Sequence, residues 1–193
     1  MPNTDYSTWG FWAMSSVDFS PNVNSQNVSV HLAPWVAGQL LNIADIPTNG
    51  AATMSGSAIM STAFRLNQSG SVYDVHKYIS NGNVQIQFNW DAGGNYTGTF
   101  SLSDYDETNP IAISAGITDF NFNITGSGVS YSGNKTNFSN GWGGSVSAQG
   151  LLYGGNSPDE SGGRINVSLS KTGDIDTLGA NDFYFAEGIF LVD

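Results

Sequence analysis

The side chains with the greatest chemical reach in this sequence are two histidines and two acidic loops. His76 lies in the run Tyr73-Asp74-Val75-His76-Lys77-Tyr78. An imidazole and a phenol on one strand can together ligate haem iron or a chelated metal. His76, Tyr73 and Tyr78 therefore form a candidate ligand site, set against the plainer reading of a surface-strand histidine. His31 stands far from His76, and the chain has no Cys, so no zinc motif forms and His31 reads as structural. Asp104, Asp106 and Glu107 crowd one loop; Asp174, Asp176 and Asp182 crowd another. Asp-x-Asp spacing puts two carboxylates on one side of a loop, which suits a hard cation. Asp104, Asp106, Asp174 and Asp176 are thus candidate calcium ligands, although neither loop carries the full EF-hand pattern. The alternative is a pair of solvated loops that keep the domain soluble.

Other chemistry is thinner. Glycoside hydrolysis needs two carboxylates across a cleft, one with its pKa raised by burial. Asp159 and Glu160 are adjacent and would face opposite ways on a strand. Glu187 sits in an apolar closing strand, where burial and a pairing with Arg65 or Arg164 would be structural. No Gly-x-Ser-x-Gly elbow stands with a suitable His, and no phosphate loop occurs. A flat ligand such as a sugar could stack on Trp35, Trp90, Trp142 or Tyr153, although aromatics in such a chain more often fill or cap a core.

Composition narrows the partners. The 193 residues include 5 Lys plus Arg against 16 Asp plus Glu, a net charge of -11. So few cations cannot neutralise many phosphates, which argues against nucleic acid. An anionic membrane surface would repel the chain. No run is long and apolar enough for a transmembrane helix. The short polar start shows no signal peptide, and the chain stops directly after an apolar strand. The start suits an intracellular protein or a domain cut from a longer exported one, and the apolar end favours the second.

The elements that must position these side chains are strands. Val84, Ile86, Phe88 and Trp90 alternate with Gln85, Gln87 and Asn89, a strand with one wet face. Asp91-Ala92-Gly93-Gly94 reads as the turn of a hairpin. Similar alternation predicts eight strands, near residues 8–19, 51–65, 83–90, 95–102, 112–124, 143–153, 163–170 and 183–192. Residues 26–32 and 72–79 are weaker candidates. Ser80-Asn81-Gly82-Asn83 and Gly133-Asn134-Lys135 read as turns. Pro34 with Trp35, Val36, Leu40 and Leu41 predicts one short helix near residues 34–42. The fold class that follows is all-β, an eight-stranded antiparallel β-barrel with one short helix. Residues 1–7 read as a linker or tag-like start, and 8–193 as a single barrel domain.

Four segments, in order, resemble the β-barrel domain of the transferrin-binding protein B superfamily, bacterial surface and solute-binding barrels. Tyr6-Ser7-Thr8-Trp9-Gly10-Phe11-Trp12 is similar to the family's opening strand. Trp35-Val36-Ala37-Gly38, then Ile46-Pro47-Thr48-Asn49-Gly50-Ala51-Ala52-Thr53-Met54-Ser55-Gly56, is similar to its helix, Pro and Thr-rich strand, with Asn49 inserted and Met54 in place of Tyr. Gly150-Leu151-Leu152-Tyr153-Gly154 and Ser161-Gly162-Gly163-Arg164 are similar to its Gly-x-Phe-Tyr-Gly-Pro and Gly-Gly-x-Phe runs, with Leu152 for Phe and Gly155 for Pro. Phe185-Ala186-Glu187-Gly188-Ile189-Phe190 is similar to its closing strand. The resemblance implies an eight-stranded barrel with a short helix near one end. It implies no ligand, since members differ, and no handle-sized segment is present to carry over host iron-protein capture.

The functional expectation is a non-enzymatic binding module, exported to the outer-membrane surface, the periplasm or beyond. Its partner would be a protein or small ligand at the loops, with Trp35 among the ligand-binding candidates. The alternatives are a haem or metal-chelate carrier using His76 and a neighbouring Tyr, and a polysaccharide-acting enzyme. Calcium and haem are the possible cofactors.

Overall fold

Strand alternation governs the three-dimensional structure, a computed structural model that describes residues 4–18, 27–65, 75–171 and 182–193. Its strands are β1 (Ser7–Asp18), β2 (Asn27–Gly38), β3 (Ala51–Arg65), β4 (Val75–Asp91), β5 (Asn95–Ser103), β6 (Phe120–Ser127), β7 (Ser130–Lys135), β8 (Gly143–Tyr153), β9 (Glu160–Lys171) and β10 (Asp182–Val192). β3 to β10 close into an eight-stranded antiparallel barrel in the order β10-β3-β4-β5-β6-β7-β8-β9. Closure gives each of these strands two neighbours and leaves no raw edge. β1 and β2 pair with each other as a separate two-stranded ribbon.

The barrel interior is packed with aromatic rings. From Ser80 to Trp90, β4 alternates buried and exposed residues without a break. Phe100 meets Phe122 at 5.2 Å and Phe190 at 5.1 Å between ring centroids. Phe88 lies edge-on to Tyr96 at 5.6 Å and to Tyr131 at 5.3 Å, the geometry aromatic quadrupoles favour. Glycine makes room across the ladder. Tyr96 is paired with Gly126 and Tyr131 with Gly150, and a Cβ on either glycine would stand 2.3 Å from the facing ring.

A short helix, α1 (Pro110–Ala115), closes one end of the barrel. Asn109 caps it, its Oδ1 accepting from the N–H groups of Ile111 and Ala112 at 2.8 and 3.4 Å. Pro110 needs no N–H there, and Gly116, at φ 68°, ends the helix in the left-handed region. Ile111, Ala112, Ala115 and Ile117 are buried in the barrel mouth.

The eight-stranded barrel and single short α-helix match expectation, but the parts are distributed differently. Pro34–Gly38 are not helical: they complete β2, and a 3-10 turn follows at Ile43–Asp45. Pairing with β1 outweighs the local helix pattern, and Trp35 lies over Gly10, where an added Cβ would stand 2.7 Å from the indole. The helix occupies Pro110–Ala115 instead, so the strand expected from residue 112 begins at Phe120. The opening strand belongs to the ribbon and not to the barrel. Its place in the count is taken by β7, where Gly133-Asn134-Lys135 suggests a turn. Ser80-Asn81-Gly82-Asn83 is likewise strand, inside β4. Gly82 serves there by close approach, since a Cβ would meet Tyr105 Cβ at 3.0 Å.

Candidate functional site

The helix end of the barrel gathers several residues singled out by sequence. On β4, His76, Tyr78 and Ser80 share a face with the inward core residues, and the β3 register sets Phe64 opposite His76 and Thr62 opposite Tyr78. The Phe64 ring stacks on the exposed imidazole of His76 at 4.9 Å and meets Tyr78 edge-on at 6.0 Å. Tyr78 O–H donates to Asp106 Oδ2 and accepts from Asn109 Nδ2 at 2.6 Å. Tyr184 O–H donates to the same carboxylate oxygen at 2.7 Å and lies 2.6 Å from Tyr105 O–H. Ser80 Oγ donates to Tyr105 O–H at 3.2 Å. Burial, then the Asp106 carboxylate, pushes the Tyr78 phenol far above its ordinary value. Burial does the same for Tyr184, with Tyr105 and Asp106 adding to it. These phenols are neutral hydrogen-bonding groups.

Asp104 and Asp106 flank Tyr105 with φ of 52° and 48°, left-handed conformations that Asp tolerates better than most residues. Their carboxylates are engaged on different sides of it. Asp104 Oδ2 accepts from Asn83 Nδ2 at 2.6 Å on the outer wall, whereas Asp106 turns inward to the phenols. Among the described residues no group of three His, Cys, Asp or Glu side chains is placed to hold a metal. Tyr73, Asp174 and Asp176 lie outside the described residues. His31 falls within β2 and not before a helix. Glu187 is exposed rather than buried, and Arg164 turns to Gln149. Trp90 and Trp142 are buried at 8% and 6% exposure, so they fill and cap the barrel, whereas Tyr153, at 2%, lies on the outward phase of β8 beneath Gly38 of the ribbon.

Trp35 leads to a different place, the outer wall. The ribbon lies across β10, whose outward residues Ile189 and Leu191 are only 4% and 0% exposed. A Cβ on Gly162 would touch both Leu191 and Val36, at 2.9 and 3.0 Å, which fixes Val36 against the wall. The base of the ribbon is tied by the buried Glu160. Its Oε1 accepts from the N–H groups of Asp5 and Tyr6 at 2.5 and 2.9 Å, and its Oε2 from Ser7 Oγ at 2.5 Å. On the β1 flank, Trp9 and Asp104 border a hollow of about 280 Å³. On the β2 flank opens a groove of about 870 Å³. Trp35 and Val36 form its ribbon side; Ser132, Gln149, Leu151, Arg164 and Ile189 form its wall side. Arg164 Nε and Nη2 donate to Gln149 Oε1 at 3.0 and 2.6 Å. Beneath lies Tyr131, its hydroxyl 2.6 Å from Ser161 Oγ and its pKa raised chiefly by burial. Arg164 is the charged side chain of the described groove lining.

Of this groove, Trp35 and Tyr153 are candidates from sequence. Gln149 and Arg164 are register partners on β8 and β9. The outward phase of those strands is the signal that points to them, once their pairing is known.

Neither a family model nor a curated protein matches the sequence. Among solved structures, the chain is similar to the vaccine antigen transferrin-binding protein B of Haemophilus parasuis Hp5, at a TM-score of 0.45 and 14% identity. That likeness spans 100% of this chain and 38% of the other.

Proposed function

We propose that this chain is a non-enzymatic binding module of a bacterial exported or cell-surface protein, and that its ligand lies in the groove between β2 and the barrel wall. The observation that carries this reading is where open space lies. Aromatic rings occupy the barrel interior, while the groove is open, mostly apolar, and carries uncharged donors and acceptors and one cation. Such a surface holds a ligand by hydrogen bonds and stacking, and it brings no pair of acid and base groups together. The ordered residue resemblance to the transferrin-binding protein B barrels supports the exported, cell-surface part.

Titration of the isotopically labelled protein by NMR tests it, with one pool of neutral oligosaccharides and one of short peptides. Shift changes confined to Ser132, Gln149, Leu151, Arg164 and their neighbours are expected, with the probes unaltered. Changes only elsewhere, no change with either pool, or conversion of a probe would overturn the reading. Protease shaving of intact source cells checks the location: the chain should be cut, and survival inside the cytoplasm would count against export.

A further inference from the structure

Building on that reading, we propose that the groove accepts an extended peptide strand, which adds to the free edge of β2 at Pro34–Gly38. The register decides which backbone groups face the groove. Gln39 N–H donates to Tyr6 O at 2.8 Å, and Gly38 stands opposite Ser7. In an antiparallel ladder alternate residues turn their N–H and C=O to opposite sides. Ala37 and Trp35 therefore bond to β1, while Gly38, Val36 and Pro34 turn their backbone groups outward. Pro34 fits this phase, because a strand proline tolerates only an unpaired edge. Among the described strands nothing but β1 pairs with β2.

Just past the edge the chain does find a second partner. Leu41 N–H donates to Leu152 O at 3.1 Å, and Gly154 N–H to Gln39 O at 3.2 Å. β2 and the end of β8 thus touch at residues 39–41 and diverge toward Trp35, and the groove fills the divergence. A strand inserted there would pair with Val36 N–H and C=O on one side and lay side chains on Ser132 and Gln149 below, the mode of β-strand addition. A sugar would satisfy the floor and leave the Val36 edge unpaired. A second copy of the chain would set -11 against -11, a repulsion that disfavours self-association. Arg164 at the floor selects an acidic residue in the incoming strand.

The test uses a phage library of random linear peptides, panned against the intact protein, followed by synthesis of the enriched sequences. With a selected peptide bound, the Val36 amide should exchange at least about tenfold more slowly, while the Trp35 and Ala37 amides, already bonded to β1, change little. Val36→Pro removes the edge N–H but also changes the side chain packed over Gly162. A second variant, Ser132→Trp, fills the groove without touching the ribbon and should weaken binding by about tenfold or more. Peptides that bind without protecting Val36, or equally well to Ser132→Trp, overturn strand addition and leave the binding-module reading standing. A library that yields no binder overturns strand addition as well. The oligosaccharide arm of the NMR titration then decides the module reading on its own.

Discussion

One carboxylate, Asp106, holds the helix end of the barrel together. It receives the hydroxyls of Tyr78 and Tyr184, and Tyr78 in turn receives the amide of the α1 cap residue Asn109. Tyr184 has a single proton, and of its two partners the carboxylate is the stronger acceptor than Tyr105. Asp106→Asn preserves the shape and removes the charge from the one oxygen that accepts both phenols. The expected loss is about 1.5–3 kcal/mol in urea unfolding, the range for hydrogen bonds to charged groups. A loss below about 0.5 kcal/mol, the size of an ordinary surface change, would show that the cluster carries no stability. The sequence makes the acid legible but not its use. Asp-x-Asp spacing points to a cation, and only closure of the barrel brings Tyr184, at the other end of the chain, against Asp106.

At the scale of elements, the ribbon is the part whose stability most needs a cause. A two-stranded hairpin alone is marginal in water, and among the described residues this one meets the barrel chiefly through β2. Glu160 supplies the anchor at its base, three bonds from one buried carboxylate. In Glu160→Gln one carboxylate oxygen becomes an N–H group that cannot accept, so part of that set is lost. Cleavage within β1 and β2 by a limiting protease should rise about tenfold or more, in line with a local loss of about 1.5 kcal/mol. The melting temperature of the barrel should stay near the parent value. Unchanged cleavage would mean that Val36 and Trp9 seat the ribbon without the carboxylate. Local alternation is enough to find β3, β5, β8, β9 and β10 close to their observed limits. It misses what depends on pairing. Nothing near Pro34 in the chain announces that β1 will claim Trp35, and the glycine and asparagine of β7 look like a turn until β6 and β8 flank them.

For the whole molecule, the aromatic filling makes stability depend on alkaline pH. Tyr78, Tyr96, Tyr105, Tyr131, Tyr153 and Tyr184 all have phenol pKa values raised above the ordinary 10.0, with burial the leading cause in each. A raised phenol pKa means the folded protein keeps protons that the unfolded chain releases. Stability from this source is fully present below the unfolded value of 10.0 and falls as pH climbs from there toward the folded values. Each tyrosinate released also adds negative charge to a chain already at -11, so repulsion acts in the same direction. Urea midpoints should therefore hold steady from pH 8 to about 9.5 and drop steeply above about 10.5, around the ordinary phenol pKa. Tyrosinate absorbance should rise together with loss of near-ultraviolet circular dichroism, because these rings ionise only when the barrel opens. Smooth titration of all the tyrosines near pH 10, with the native dichroism intact, would show that water reaches their hydroxyls inside the folded barrel and that the packed interior is not what raises them.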